Sequence, residues 1–280
     1  MWLRFSILAV LFLFAVTTSI SAEDKFQAFV DRANQEVMEE LSIELGPPPK
    51  GSGKLDAKSD PILNWSQKRN GYYGCKMHVW ERDGRAMALT GTVHWPSNKQ
   101  MVHEFINLSG EPMFAELDGK LVWDGAQKAV VKWKLLSGEA APSKSSKIRL
   151  AQMRGLARNF SARAIKGAPQ YEEGSRWELR LVPEPLHRYQ PKSGDVVDGA
   201  IFSFAQETDP EVVLLLEARR DDGGKLSWYF GGARACAWKL ELDYRKKRVW
   251  SVGRMYGYPL RQGLGFYQFA KTVEYPPQQD

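Results

Sequence analysis

Cysteine and histidine are both scarce in this 280-residue chain, which has two of the first and four of the second. A chain this long buries a real core without disulfide or metal staples, so folding itself calls for neither. The motifs that organise common chemistry are missing too. No Gly-x-Ser-x-Gly elbow occurs, neither Cys75 nor Cys236 carries a local catalytic signature, and the glycines cluster in hairpin turns rather than in a phosphate loop after a strand. Three histidines, His78, His94 and His103, fall in one stretch. A four-residue loop at Ser97 to Gln100 would set His94 opposite His103, but Glu104 points to the other face and no third ligand follows. Neither a metal nor another cofactor is expected.

Long apolar runs are also absent, with one exception. Arg4 precedes an unbroken run from Ile7 to Val16, and small polar residues lead to Ala22 before Glu23. This is the pattern of a secretory signal peptide over residues 1–22, cut after Ser21 or Ala22. The run spans only about half of a hydrocarbon core, so no transmembrane anchor is expected after cleavage. The expected location is periplasmic or secreted, where chromosomal nucleic acid is no partner. Export chemistry would permit a Cys75–Cys236 disulfide tying the two halves together. Both cysteines also sit in strand-like runs that suit buried free thiols.

The formal charge is +6, unevenly placed, because residues 144–166 hold seven basic residues and no acid. That stretch predicts a helix over residues 147–165, with Leu150, Met153, Ala157 and Phe160 on one stripe. Arg149, Arg154, Arg158 and Arg163 occupy its other faces, either as a solvated surface or as a footing on an anionic envelope surface. An amphipathic helix is predicted at 23–45 from the spacing of Phe26, Val30, Ala33, Val37 and Leu41. The Pro-, Gly- and Ser-rich residues 46–61 follow as a flexible linker.

From Tyr72 the apolar period becomes two, punctuated by Asp83-Gly84, Asp118-Gly119 and Asp222-Gly223-Gly224. With Asp83-Gly84 as a two-residue turn, Trp80 is expected opposite Met87 and His78 opposite Leu89. A first meander is predicted over 62–136, a linker over 137–146, a helix plus second meander over 147–252, and a Gly/aromatic tail over 253–280 that forms an edge strand or an extended arm. The fold class is α+β, with two antiparallel meanders each associated with a helix, as sub-domains or as one continuous curved sheet.

Among carboxylates, Glu178, Glu217 and Asp198 lie in apolar strand context. Glu217 shares a face with Val213 and Leu215, where a cation such as Arg180 or Arg219 would offset its burial. The ten tryptophans exceed what a sheet core of this size needs. Trp95, Trp123, Trp177 and Trp228 are candidates to line a groove for an acyl chain or a sugar face, so a lipid or glycan is the expected ligand.

The second half resembles a family of exported planctomycete bacterial proteins of unknown function, through Leu179 to Tyr189 (LRLVPEPLHRY), Asp198 to Phe204 (DGAIFSF) and Thr208 to Glu211 (TDPE) before Val212 to Arg219. His103-Glu104-Phe105 and Gln152-Met153-Arg154 extend the likeness toward the N-terminus. His187 stands where that family more often has Tyr, so no required imidazole is implied there, and the resemblance brings no activity or cofactor. The expected function is a non-catalytic exported binding or scaffold protein of the cell envelope. The alternative is a hydrolase of envelope polymers with Glu217 or Asp198 as acid or base.

Overall fold

Residues 21–125, 131–166, 175–255 and 265–276 are described in the computed structural model. The expected signal segment up to residue 20 lies outside them. A helix, α1 (Ala22–Glu40), opens with a capping box in which Ser21 and Asp24 satisfy each other's backbone N–H. It ends sooner than its apolar period predicts, because residues 41–45 extend into β1 (Leu41–Leu45). The expected linker holds two short strands, β2 (Gly53–Lys54) and β3 (Asp56–Ala57), and Leu55 between them is buried in the core.

Then come β4 (Leu63–Gln67), β5 (Tyr72–Arg82), β6 (Arg85–Trp95), β7 (Gln100–Asn107), β8 (Met113–Leu117), β9 (Lys120–Asp124) and β10 (Lys134–Leu135). After the second helix, α2 (Ser146–Ala157), the chain forms β11 (Phe160–Lys166), β12 (Ser175–Leu181), β13 (His187–Tyr189), β14 (Val196–Gln206) and β15 (Asp209–Arg220). It continues through β16 (Leu226–Arg234), β17 (Lys239–Tyr244), β18 (Lys247–Val252) and β19 (Phe266–Thr272). The basic helix is therefore shorter than expected, and Phe160 and Arg163 belong to a strand.

The fold is β-rich, and the pairings are antiparallel within three sheets. They are not two sequential meanders. β5, β6 and β7 form a meander, but β19 returns from the C-terminal region to pair with β7, while β3 and β4 share the far side of β5. β8 and β9 leave to join β1 and β2 in a four-stranded sheet, and β10 joins the large sheet through β16. Alternation of apolar residues fixes which face a side chain takes, but it does not choose the partner strand.

The β5–β6 turn uses Asp83 and Gly84, both with positive φ (51° and 77°), as a two-residue hairpin of the type Asp-Gly favours. The pairing beyond it differs from expectation. Glu81 pairs with Ala86, but a bulge follows, so Trp80 faces Ala88 and His78 faces Thr90. At the next turn a 3-10 segment, Pro96–Asn98, sets His94 opposite Met101 and Thr92 opposite His103.

The large sheet runs β10-β16-β15-β14-β12-β11-β17-β18, with β13 also on β14. It curls on itself. Trp250 of β18 lies over Gly232 of β16, where a Cβ would stand 3.0 Å from the indole, and Lys134 Nζ of β10 donates to the Val249 carbonyl of β18 at 2.5 Å. The concave side holds Phe202, Phe204, Leu214, Leu216 and Phe230, plugged by Met153, Leu156 and Ala157 of α2. Ile201, Val213, Leu215 and Ala233 on the convex side pack with Met77, Val79 and Leu89 of the second sheet. Burial on both faces explains the unbroken Val212 to Leu216 run in β15. Among the described residues no helix is long and apolar enough to cross a membrane.

Candidate functional site

Of the three carboxylates singled out in the sequence, Glu178 is exposed on β12, whereas Glu217 and Asp198 are fully buried and fully engaged. Glu217 accepts from Arg85 Nε and Nη2, each at 3.2 Å, from the Tyr189 hydroxyl at 2.7 Å and from Arg219 Nε at 2.7 Å. Tyr189 reaches it across Gly199, the residue that pairs with both of them in the sheet. Asp198 takes Arg149 Nε at 2.8 Å, Arg188 Nε at 3.0 Å and Nη2 at 2.6 Å, and Gln190 Nε2 at 3.2 Å. Arg180, the other expected partner of Glu217, instead donates to the Glu207 carbonyl. With no exposed surface on either carboxylate, no substrate oxygen can exchange a proton with them.

The four arginines expected on one helix do not make a basic face. Arg149 is buried against Asp198, Arg154 pairs with Glu184, and Arg163 projects from β11 to Asp243 and Glu241. Arg158 alone remains, at the C-cap of α2. The four candidate tryptophans are likewise dispersed. Trp123 is fully buried and stacked on Phe105, and Trp228 is buried in the other core with Nε1 donating to the Ala140 carbonyl at 3.1 Å. Trp95 packs edge-on against Tyr72, while Trp177 is half-buried beside Lys166. They come from three different sheets rather than from one wall.

Cys75 and Cys236 are free thiols, the first inside the first core and the second packed against the other core, so each is satisfied where it lies. His187 Nε2 donates to Glu81 Oε1 at 2.6 Å, a link between the two sheets. Among the described residues no group of three His, Cys, Asp or Glu side chains is placed to hold a metal ion.

The sequence reading missed a polar cluster at one end of the curled sheet. Asp209 and Glu211 open β15, Glu104 of β7 approaches from the second sheet, and Lys166 Nζ stands 3.5 Å from Glu211 Oε1. Burial, reinforced by Glu211, pushes the Asp209 carboxyl up to about 7, with Lys166 offsetting part of the rise. Burial raises Glu211 as well, opposed by the Cys236 thiol and Lys166, and it raises Glu104 far more, with Asp209 and Glu211 adding repulsion. Tyr72 on β5 is pushed to about 12 by burial and the same carboxylates. The signal was legible in Asp209-x-Glu211, two acids on alternate positions entering a strand buried on both faces.

Asp209 holds in the folded state a proton that the unfolded chain has released, so its contribution to stability weakens as pH rises from about 4 to about 7, and the raised Glu211 and Glu104 act in the same direction. Buried His94, lowered to about 4, and His103, lowered to about 3, act oppositely: they resist protonation when folded, and stability is lost as pH falls below the unfolded value of 6.5. Asp209→Asn isolates the first term. Its advantage over the parent should grow by up to about 1.4 kcal/mol per pH unit from pH 4 to 7 and then level off. Urea denaturation at stepped pH measures it, and a difference independent of pH would show that Asp209 ionises freely.

A separate groove lies where α1 crosses the β4–β5 edge. A cavity of about 460 Å³ is lined by Gln27, Asp31, Asn64, Ser66 and Lys76, and an adjoining one of about 330 Å³ adds Glu23, Phe26, Lys68 and Tyr73. They share Gln27, Ser66 and Gly74. Gly74, at φ +51°, brings the helix this close, since a Cβ there would stand 2.3 Å from Val30 Cγ1. Asn34 locks the crossing by donating to the Gly74 carbonyl at 3.1 Å and accepting from Thr92 and His94. Lys76 and Asp31 pair across the floor at 2.7 Å.

No known family, curated protein or solved structure matches this chain. The groove residues carried no signal in the sequence, because the α1 and β4 residues come together only through tertiary packing.

Proposed function

We propose that the chain is an exported, non-catalytic binding or scaffold protein of the cell envelope, and that its ligand lies in the groove between α1 and the β4–β5 edge. The observation that carries this reading is the pair of adjoining cavities walled by amide, hydroxyl and charged groups, with Phe26, Tyr73 and Trp65 among the lining rings. Such a lining suits the hydroxyls and flat faces of a glycan better than an acyl chain, which would strip water from the Asn64 amide and from the hydrogen-bonding capacity that Gln27 and Ser66 have left beyond their bonds to Asp31 and Gly74. The hydrolase alternative loses its named residues, because every oxygen of Glu217 and Asp198 is held by a guanidinium.

Titration with chitotetraose and, separately, with anionic phospholipid vesicles should change the intrinsic fluorescence through Trp65 with the sugar only. Asn64→Ala with Gln27→Ala should weaken that response at least tenfold while leaving the urea midpoint unchanged. Response to vesicles alone, or equal binding by the double variant, would remove the groove as a glycan site.

A further inference from the structure

Lys166 ends β11 with its ammonium enclosed rather than solvated. Its Nζ stands 5.1 Å from the Trp177 ring centroid and 5.3 Å from that of Trp238, donates to Gln206 Oε1, and lies 3.5 Å from Glu211 Oε1. Trp177 comes from β12, Gln206 from the end of β14, Glu211 from β15, and Trp238 from the turn before β17. Two indoles, an amide oxygen and a carboxylate are the groups that recognise an organic ammonium. Arg254 stacks on Trp238 at 4.6 Å, so the outer side of that indole also carries a cation.

One feature of the box is incomplete. The Glu211 side chain is 4% exposed and has the weakly donating Cys236 thiol beside it, while its Oε2 is buried with no hydrogen-bond partner among the described residues. Leaving a buried oxygen unpaired is costly, and native structures seldom do so without a reason. Lys166 is tethered to β11 and engages only Oε1. A free ammonium has no such tether, and its three N–H donors match Gln206 Oε1 and both Glu211 oxygens.

We propose that this box is a binding site for a small aliphatic primary amine, which Lys166 fills in cis and which an external ammonium fills by displacing it. Lys166 can leave because 22% of its side chain already reaches solvent. Self-occupancy lowers the apparent affinity by the fraction of molecules whose box is open, so removing the lysine ammonium must raise it.

The test titrates n-butylammonium chloride into the full chain against matched sodium chloride, followed by tryptophan fluorescence and calorimetry. Lys166→Ala should bind at least tenfold more tightly than the unaltered chain, which should itself saturate at higher concentration. Adding Glu211→Gln or Trp177→Ala to Lys166→Ala should abolish that gain. Tetramethylammonium, which has no N–H, should bind more weakly than n-butylammonium. Lys166→Met keeps the aliphatic stem and vacates only the ammonium position, so methylammonium titrated into it gives the same reading should the alanine variant fail to fold. The proposal is overturned if neither variant binds its amine more tightly than the unaltered chain, if the gain survives loss of Glu211 or Trp177, or if the unaltered chain shows no saturable response.

Discussion

Glu217→Ala is expected to destabilise the fold by about 3–5 kcal/mol, the cost of breaking a buried ion pair from one side. The carboxylate is fully buried, so its removal strands three donors at once: Arg85, Arg219 and the Tyr189 hydroxyl. Arg219 cannot simply swing into water, because its guanidinium is stacked 4.1 Å from the Trp133 centroid and 5.2 Å from that of Tyr229. Arg85 is 30% exposed and recovers part of its hydration, which sets the order of effects. Arg85→Ala should cost clearly less than Glu217→Ala, and Glu217→Gln should fall between them because its amide oxygen still accepts from Tyr189. Denaturant unfolding of the three variants measures this. A loss under about 1 kcal/mol for Glu217→Ala would mean that the network behaves as a surface salt bridge.

The same residues show how far a sequence can be read. Glu217 was recognisable as a buried acid needing a cation, since it continues the face of Val213 and Leu215, and Arg219 is one of its two cations. The second, Arg85, lies in the β5–β6 turn, 132 positions away. It meets Glu217 only because the second sheet packs across the convex side of the large one. Turn chemistry at Asp83-Gly84 was legible for the local reason that Asp and Gly tolerate positive φ. The bulge just beyond it has no such marker, and it shifted the register so that Trp80 faces Ala88 rather than Met87.

Strands were easier to locate than to pair. The first meander expected over 62–136 spans β8, β9 and β10, yet β8 and β9 join β1 and β2, and β10 joins the large sheet. Arg149 illustrates the limit on candidate sites. In sequence it is one of seven basic residues in a run without acids, whereas in the fold it is the buried partner of Asp198, 49 positions on. A charge run predicts a solvated face only if no carboxylate from elsewhere reaches it.

Gly199→Ala should be as damaging as the loss of Glu217, although it adds a single methyl group. A Cβ at this position would stand 2.2 Å from Tyr189 Cε2, 2.3 Å from Cζ and 2.7 Å from the hydroxyl oxygen. The ring has nowhere to retreat, because its hydroxyl is fixed to Glu217 on the next strand. Overpacking of this kind costs about 1–3 kcal/mol, and displacing the ring forfeits a hydrogen bond to a buried charge worth about 1.5–3 kcal/mol more. The two terms act through the same ring, so they must not add independently of it. In a Tyr189→Ala background the obstruction is gone, and the double variant should be no less stable than Tyr189→Ala alone. A double-mutant cycle should therefore return a coupling of about 2 kcal/mol or more, within the range found for residues in direct contact. Additive losses would mean that the methyl group strains β14 itself, and that Gly199 is required for backbone conformation rather than to let Tyr189 cross to Glu217.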